Sequence, residues 1–305
     1  MGGTSLIVRA GALGDVLLLR RAVATLRHRH RGVLLIAPRS SGGVLVGPGA
    51  AQVDELVPWE RAEVAGLFAE DGRPEGELRE RLRDVRLAVA YSRNAALIRS
   101  LERVIPCVVG HDPHPAGGVH ASEWLTRPLE DLGLDAAAAL EPMPATEAEA
   151  EQAGRLLREL PERFVAVHPG SGSPSKNWSP DRFGMLLDAV APSGRWLLVE
   201  GPADADAAAA LRRRPGALVA RGLDARILGA VLARAGLFVG HDSGVSHLAA
   251  AWGAPTLALF GPTDPSVWAP LGERVSVVRA PAGRMEDLRP ETVIRAAQAL
   301  VARHP

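Results

Sequence analysis

Short apolar runs alternate with longer helical patterns along this chain, and that alternation constrains its fold most. Nine runs rich in leucine and β-branched residues are typical of buried strands: residues 5–9, 34–37, 87–91, 107–110, 164–168, 196–200, 237–240, 256–260 and 275–278. Helical patterns lie between or after them, over residues 15–29, 182–190, 225–235, 246–252 and 290–303. Strands alternating with helices predict parallel sheets covered on both faces. The sequence therefore predicts an α/β protein with doubly wound, Rossmann-like sheets.

The length of 305 residues accommodates two such domains. An Ala-rich stretch meets Pro142 and Pro144, and prolines at alternate positions prevent a helix from continuing. We predict an N-terminal domain over residues 1–145, a C-terminal domain over 146–288 and a separate terminal helix over 289–305. The two sheets are expected to face each other across a cleft. Ligands of open α/β sheets bind beyond the carboxyl ends of the strands, so the loops there should carry the chemistry.

Charge balance and cysteine content exclude several classes of protein. Thirty-five basic and 35 acidic side chains cancel, so the chain lacks the net positive charge that would favour binding to nucleic acid. The single cysteine, Cys107, excludes an internal disulfide framework and a cysteine-based zinc site. No apolar run approaches the roughly 18–20 residues of a membrane span. Because Arg9, Asp15, Arg20 and Arg21 interrupt the N-terminal apolar stretch, it does not resemble a signal peptide. We therefore expect a soluble, intracellular protein.

The first loop with chemical content, Arg9-Ala10-Gly11-Ala12-Leu13-Gly14-Asp15, joins the first strand to a helix. It lacks the Gly-x-Gly-x-x-Gly spacing of a dinucleotide site, and Asp15 would repel a phosphate at the helix start. This argues against an oxidoreductase with a Rossmann-bound cofactor. Two roles for Asp15 stay open: a helix N-cap, or a general base that accepts a proton from a substrate hydroxyl.

The second loop contains Lys176, the only lysine among 35 basic residues. Gly170 and Gly172 allow backbone N–H groups to approach an anion. A compact ammonium meets a single anionic oxygen in a way that a guanidinium fork does not. The loop therefore favours a diphosphate contact, with an incidental surface lysine as the alternative. Ser179 and Pro180 then predict the start of the next helix, as N-cap and first helical residue.

The third loop, Gly240-His241-Asp242-Ser243-Gly244, follows a buried strand and opens a helix. A helix N-terminus favours an anion, and Asp242 beside it suits hydrogen bonds from sugar hydroxyls. His247 lies one turn after Ser243, so both side chains can face one ligand. A histidine in an apolar helix is, however, more often a core residue. The turn Gly261-Pro262-Thr263-Asp264-Pro265 follows the next strand at the same end of the sheet.

Together these loops resemble glycosyltransferase family 9, the heptosyltransferase-like enzymes of bacterial surface glycan assembly. The resemblance rests on four motifs in order: Gly14-Asp15, His168-Pro169-Gly170 through Lys176-x-Trp178, Asp242-Ser243-Gly244-x-x-His247 and Phe260-Gly261-Pro262-Thr263. It implies the two-domain GT-B fold, with the acceptor in the N-terminal domain, the nucleotide-sugar in the C-terminal domain and a final helix that crosses back to the first domain. It also implies an inverting, metal-independent transfer, usually from ADP-heptose, in lipopolysaccharide core assembly.

Carried over by position, the resemblance assigns roles to motif residues. Asp15 would be the catalytic base, with Arg9, Gly11 and Ala12 on the acceptor side. The donor would be bound by a larger set: Ser171, Gly172, Lys176, Asp204, Asp242, Ser243, Gly244 and His247. Asp204 or a neighbour in the segment 201–204 is the candidate for an acidic donor contact. Family members often carry hydroxyl residues where this chain has Gly11 and Ala12, so the acceptor contacts stay open.

Alternatives remain for the mechanism and for the function. Asp204-Ala205-Asp206 has the Asp-x-Asp pattern of metal-dependent transferases, although it begins an Ala-rich helical run and two carboxylates would have to meet at one ion. A nucleotide-sugar-binding protein without catalysis would need the same donor contacts. The acceptor is a glycan or a small molecule. We expect no metal, no cofactor beyond the ADP-sugar substrate and no nucleic-acid partner. We expect a cytoplasmic protein, and a peripheral position at the inner membrane surface stays open.

Overall fold

The computed structural model describes residues 3–137, 139–201 and 204–304. The chain divides into two compact units, Met1–Glu141 and Pro142–Pro305, and the predicted boundary at residue 145 lies just inside the second. Pro202 and Ala203, neighbours of the predicted acidic donor contact, lie outside the described residues.

The first unit is built on five parallel strands. They are β1 (Thr4–Val8), β2 (Gly32–Ala37), β3 (Glu55–Pro58), β4 (Val85–Tyr91) and β5 (Cys107–His111), in the sheet order β3-β2-β1-β4-β5. The helices among its described residues are α1 (Leu13–Leu17), α2 (Arg20–Arg27), α3 (Arg39–Gly42), α4 (Ala62–Gly66), α5 (Gly76–Arg81), α6 (Ala95–Glu102) and α7 (Ala121–Glu130). Central β1 is almost wholly buried because both of its faces are covered: Ile7 pairs with Leu35 and Val89, and all three are buried.

The second unit is built on six parallel strands. They are β6 (Phe164–His168), β7 (Trp196–Glu200), β8 (Ala217–Arg221), β9 (Ala235–His241), β10 (Thr256–Phe260) and β11 (Val275–Arg279), in the order β11-β10-β9-β6-β7-β8. Its described helices are α8 (Glu147–Leu156), α9 (Pro180–Val190), α10 (Ala205–Arg212), α11 (Ala225–Leu232), α12 (Gly244–Ala251), α13 (Pro265–Trp268) and α14 (Pro290–Arg303). Counted from β6, this is the 3-2-1-4-5-6 order of a Rossmann sheet.

Both sheets place the predicted motifs where the strand order reverses. The reversal lies between β1 and β4 in the first sheet, and between β6 and β9 in the second. Ligands of open α/β sheets bind beside such a reversal, at the carboxyl ends of the strands. The loop after β1 carries Asp15, and the loops after β6 and β9 carry Lys176 and Asp242.

All nine predicted strands are present, and two further strands were not predicted. These two, β3 and β8, lie at sheet edges and are only partly buried, and their short apolar stretches are bounded by Glu55 and Pro58 in β3 and by Arg221 in β8. The helix predicted over residues 15–29 is divided into α1 and α2. Leu18 and Leu19 between them keep helical backbone angles, so the interruption is in the hydrogen-bonding pattern.

The final helix, α14, is covered within the second unit. It packs against α9, β9, β10 and β11, and its buried residues Val293, Ala297 and Leu300 belong to the core of that unit. The expected crossing of this helix to the first domain stays a prediction. None of the helices in the described part of the chain is long and apolar enough to cross a membrane.

Candidate active site

In the first unit, Asp15 lies in the opening turn of α1 and both of its carboxylate oxygens accept a hydrogen bond. Oδ1 accepts from Nη2 of Arg9 at 2.9 Å, and Oδ2 accepts from the backbone N–H of Ala12 at 2.9 Å. The N-cap is Ala12, so Asp15 is the third helical residue and not the predicted N-cap. Its side chain remains 33% exposed. Each carboxylate oxygen has two lone pairs, so both can accept a further hydrogen bond.

Two neighbouring residues fix the loop that leads to Asp15. A Cβ atom at position 11 would lie 2.6 Å from Cβ of Asp15, so a side chain there would displace the carboxylate. The buried Ser41 of α3 donates a hydrogen bond to the carbonyl of Gly11 at 2.8 Å. Glycine at position 11 thus has a steric reason in this chain.

Arg9 lies behind Asp15, in the interior of the first unit. It is 6% exposed, and its Nε has no hydrogen-bond partner among the described residues. Burial raises the pKa of the Tyr91 phenol, and the nearby positive charge of Arg9 partly opposes that rise. Burial leaves little of Arg9 for direct contact with an acceptor, so its position instead favours holding the Asp15 carboxylate.

In the second unit, the predicted donor residues Lys176 and Asp242 lie in direct contact. Nζ of Lys176 donates to Oδ2 of Asp242 at 2.7 Å, and the hydroxyl of Thr263 donates to the same oxygen at 2.8 Å. The Lys176 side chain is 24% exposed. The loops after β6, β9 and β10 therefore meet at one point, where a cation, a carboxylate and a hydroxyl are within reach of one ligand.

The loop that carries Lys176 is held by bonds within itself. The hydroxyl of Ser171 lies 2.7 Å from both the carbonyl of Ser173 and Oδ1 of Asn177, and the Lys176 amide donates to the Ser173 carbonyl at 3.0 Å. The Ser171 hydroxyl thus shapes the loop. A Cβ atom at Gly172 would meet no other atom within 4 Å, so the protein itself does not require glycine there.

His241 and Trp178 connect this loop to the end of β9. The N–H of Trp178 donates to Nε2 of His241 at 2.8 Å, while Nδ1 of His241 donates to the carbonyl of Gly170 at 3.3 Å. Burial lowers the pKa of His241 to about 3, so the ring is neutral with its proton on Nδ1. The Trp178 indole N–H donates to the carbonyl of Leu288 at 2.8 Å, which anchors the end of the loop in the core.

Asp204, the predicted acidic donor contact, is buried between the loops after β6 and β7. Its Oδ2 accepts the N–H of Gly201 at 2.9 Å and lies 3.6 Å from Nε2 of His168. Burial lowers the pKa of His168, against the opposing charge of Asp204. At 6% exposure Asp204 offers a ligand little surface. Asp206 is exposed in the first turn of α10, so the two carboxylates of the Asp-x-Asp pattern lie in different environments.

The start of α12 combines the features of an anion site. Ser243 is the N-cap, and its hydroxyl is buried without a hydrogen-bond partner among the described residues. The first amides of a helix, from Gly244 onward, have no partner within the helix, and the helix dipole favours negative charge there. His247, one turn further on, is buried within the same helix. In residues 3–137, 139–201 and 204–304 no group of three or more His, Cys, Asp and Glu side chains is arranged to hold a metal ion.

Sequence reasoning named Lys176, Asp242, Ser243 and Gly244 as one donor site, and the second unit brings them to neighbouring strand ends. It gave no role to Thr263, although the turn containing it was recognised. The available signal is strand order, because a turn after β10 lies beside the one after β9.

Two Rossmann-like units, each with a strand reversal, place this chain in the class of doubly wound α/β proteins. The model of glycosyltransferase family 9 (heptosyltransferase) matches residues 125–297, more than half of the chain. The chain therefore belongs to glycosyltransferase family 9. The matched range contains the donor-side loops and not Asp15.

Curated relatives agree with this family. Over 179 residues the chain is 29% identical to lipopolysaccharide heptosyltransferase 3 of Escherichia coli (strain K12), covering 53% of this chain and 49% of the relative. Over 158 residues it is 29% identical to lipopolysaccharide heptosyltransferase 1 of the same strain, covering 50% of this chain and 49% of the relative. The chain thus spans about half the length of the curated relatives it matches.

Solved structures share the fold over nearly the whole chain. A glycosyl transferase family 9 structure from Veillonella parvula DSM 2008 has a TM-score of 0.84 at 19% identity, covering 99% of this chain and 97% of its own. The structure of E. coli heptosyltransferase WaaC with ADP has a TM-score of 0.72 at 21% identity, covering 97% and 99%. The predicted fold class, α/β with two Rossmann-like domains of the GT-B type, is confirmed.

Proposed function

We propose that this chain is a glycosyltransferase that moves a heptose, or a similar sugar, from an ADP-sugar to an acceptor hydroxyl. The observation that carries the proposal is the meeting of Lys176, Asp242 and the start of α12 at neighbouring strand ends. Family membership supports it, as do relatives named lipopolysaccharide heptosyltransferases and a structure of similar fold titled with ADP. Lipopolysaccharide core assembly is the proposed setting, with another glycan or a small molecule as the alternative acceptor.

The donor site is proposed to stabilise the departing nucleoside diphosphate. Charge that develops on the leaving group is best met by donors already in place. Lys176 supplies a full positive charge, and the buried Ser243 hydroxyl and the first amides of α12 supply N–H and O–H donors. Asp242 then accepts from sugar hydroxyls with Oδ1, because Lys176 and Thr263 both bind Oδ2.

Asp15 is proposed as the general base. It accepts the proton of the acceptor hydroxyl as that oxygen attacks the anomeric carbon of the donor, from the face opposite the diphosphate. The C–O bond to the diphosphate breaks as the new glycosidic bond forms, so the anomeric configuration inverts. Arg9 and the Ala12 amide hold the carboxylate in one orientation and leave lone pairs for the substrate.

We propose that no metal takes part in this transfer, because the positive charge and hydrogen-bond donors of the second unit meet the diphosphate directly. The competing Asp-x-Asp pattern splits between the buried Asp204 and the exposed Asp206. Activity that survives EDTA supports the proposal, and activity restored only by added Mg²⁺ or Mn²⁺ contradicts it. The cytoplasmic location stays a prediction.

The deciding experiment measures turnover of ADP-heptose and other nucleotide-sugars against candidate acceptors, with the product configuration read by NMR. General-base assistance contributes roughly 10²–10⁴ in rate, so Asp15→Asn should lower kcat by that factor and leave ADP affinity nearly unchanged. Lys176→Met should instead weaken ADP binding. Binding of ADP without turnover of any sugar would identify a binding protein in place of an enzyme, and full activity of Asp15→Asn would remove the base assignment.

A further inference from the structure

The loop that presents Lys176 runs from Gly170 to Trp178, and one buried side chain contacts both of its ends. His241 is 0% exposed. Its Nε2 accepts the N–H of Trp178 at 2.8 Å, and its Nδ1–H donates to the carbonyl of Gly170 at 3.3 Å. The two ends of the loop are thereby tied to one ring at the end of β9.

A neutral imidazole suits this position because it carries one donor and one acceptor. An apolar side chain of similar size would leave a buried N–H and a buried carbonyl unpaired, and unpaired buried polar groups are destabilising. The edge of the ring also packs against Phe183, with ring centroids 5.5 Å apart. The two hydrogen bonds and the contact with Phe183 fix the orientation of the His241 ring and keep its proton on Nδ1.

The residue that follows β9, Asp242, contacts the Lys176 side chain of the same loop. Asp242 accepts the hydrogen bond from Nζ of Lys176, while the Ser171 hydroxyl contacts both Ser173 and Asn177 and makes the intervening segment a compact turn. Holding both ends of this turn limits where the Lys176 backbone can lie, and the hydrogen bond to Asp242 then holds the ammonium.

We propose that His241 is a positioning residue, which holds the Lys176 loop in register with the helix start that receives the donor diphosphate. The proposal rests on the proposed function and adds a residue that touches no substrate itself. His241 acts through the backbone at Gly170 and Trp178 and so determines the position of Lys176 relative to the start of α12.

Three variants test the affinity effect of this position. His241→Leu removes both bonds and should weaken ADP binding, measured by calorimetry, by about tenfold or more. His241→Gln keeps an acceptor near the Nε2 position and should lose less. Leu300→Ala is the control: it truncates a buried residue of the same core, in α14, and should lower the melting temperature without changing ADP affinity. An equal loss of affinity in Leu300→Ala would overturn the proposal, because general destabilisation would then explain the effect.

A double-variant cycle and hydrogen exchange separate positioning from other roles. In a Lys176→Met background, His241→Leu should change ADP affinity little, because the aimed group is gone; an undiminished effect overturns the proposal. The Trp178 amide should exchange slowly in the parent chain and rapidly in His241→Leu, with unchanged exchange in Leu300→Ala. If the parent chain binds no ADP, the proposed function fails, and the exchange rates still decide whether His241 holds the loop.

Discussion

Replacing Gly170 by alanine tests how closely the loops after β6 and β7 fit together. A Cβ atom at position 170 would lie 2.7 Å from Cβ of Asp204 and closer still to its carboxylate. Asp204 is buried and accepts the Gly201 N–H at 2.9 Å, so any displacement of its carboxylate disturbs that hydrogen bond in the interior. The substitution must therefore displace the whole aspartate side chain or the loop backbone.

The cost has two parts. Overpacking a close-packed interior costs about 1–3 kcal/mol, and losing a hydrogen bond to a buried carboxylate costs about 1.5–3 kcal/mol. We expect the free energy of unfolding to fall by about 2.5–6 kcal/mol, and the melting temperature by roughly 5–24 °C at about 2–4 °C per kcal/mol for a unit of this size. Urea titration and thermal unfolding of the full-length chain measure both.

Gly172 provides the matched control in the same loop. A Cβ atom there would meet nothing within 4 Å, and neither glycine has a positive φ. Gly172→Ala should therefore change stability by no more than about 1 kcal/mol, with a small gain expected from the stiffer unfolded chain. Asp204→Gly removes the overlapping atoms, so Gly170→Ala should cost little in that background. Equal destabilisation by the two alanine substitutions would refute the steric reasoning.

Three further predictions concern the two sites. Gly11→Ala should displace Asp15, whose Cβ would lie 2.6 Å from the new atom, and lower kcat with little change in ADP affinity in steady-state and calorimetric assays. As the pH is lowered from about 6.5 toward 3, the free energy of unfolding should decrease, because His241 takes up a proton in the unfolded chain but stays neutral in the folded protein. His241→Gln should reduce the slope of this pH dependence by about 1.4 kcal/mol per pH unit, measured by urea titrations. Thr263→Val should weaken ADP-sugar binding about fivefold, since it removes one hydrogen bond to Asp242, and an unchanged Kd would contradict that role.

The sequence predicts the central strands of both sheets because their chemistry is local. A strand covered on both faces is mostly apolar, and the runs 164–168 and 256–260 have that pattern and those bounds in the structure. The edge strands β3 and β8 are half-exposed, and Glu55 or Arg221 within them is compatible with a loop as well. Only pairing with a neighbouring strand distinguishes these two segments from loops, and the sequence of one segment does not determine which strand it pairs with.

The candidate site divides in the same way. Loop positions follow from strand order, so Asp15, Lys176 and Asp242 are correctly expected at carboxyl strand ends. The direction of a side chain depends on tertiary packing, which cannot be predicted from these sequence motifs. Arg9 and Asp204 carry charges that suit a ligand contact, yet both are turned into the protein, toward Asp15 and Gly201 respectively.

The pairing of Lys176 with Asp242 gives a physical reason for a lysine in a chain whose other basic residues are all arginine. An ammonium has three N–H donors, and Asp242 occupies one of them. In the proposed reaction the other two remain for diphosphate oxygens, so the lysine can hold the carboxylate and meet the leaving group together. A guanidinium at the same place would present its planar fork to the carboxylate and form two parallel bonds with it. That stronger, flatter pair would direct the charge toward Asp242 and away from the start of α12, where the phosphate charge is expected to develop.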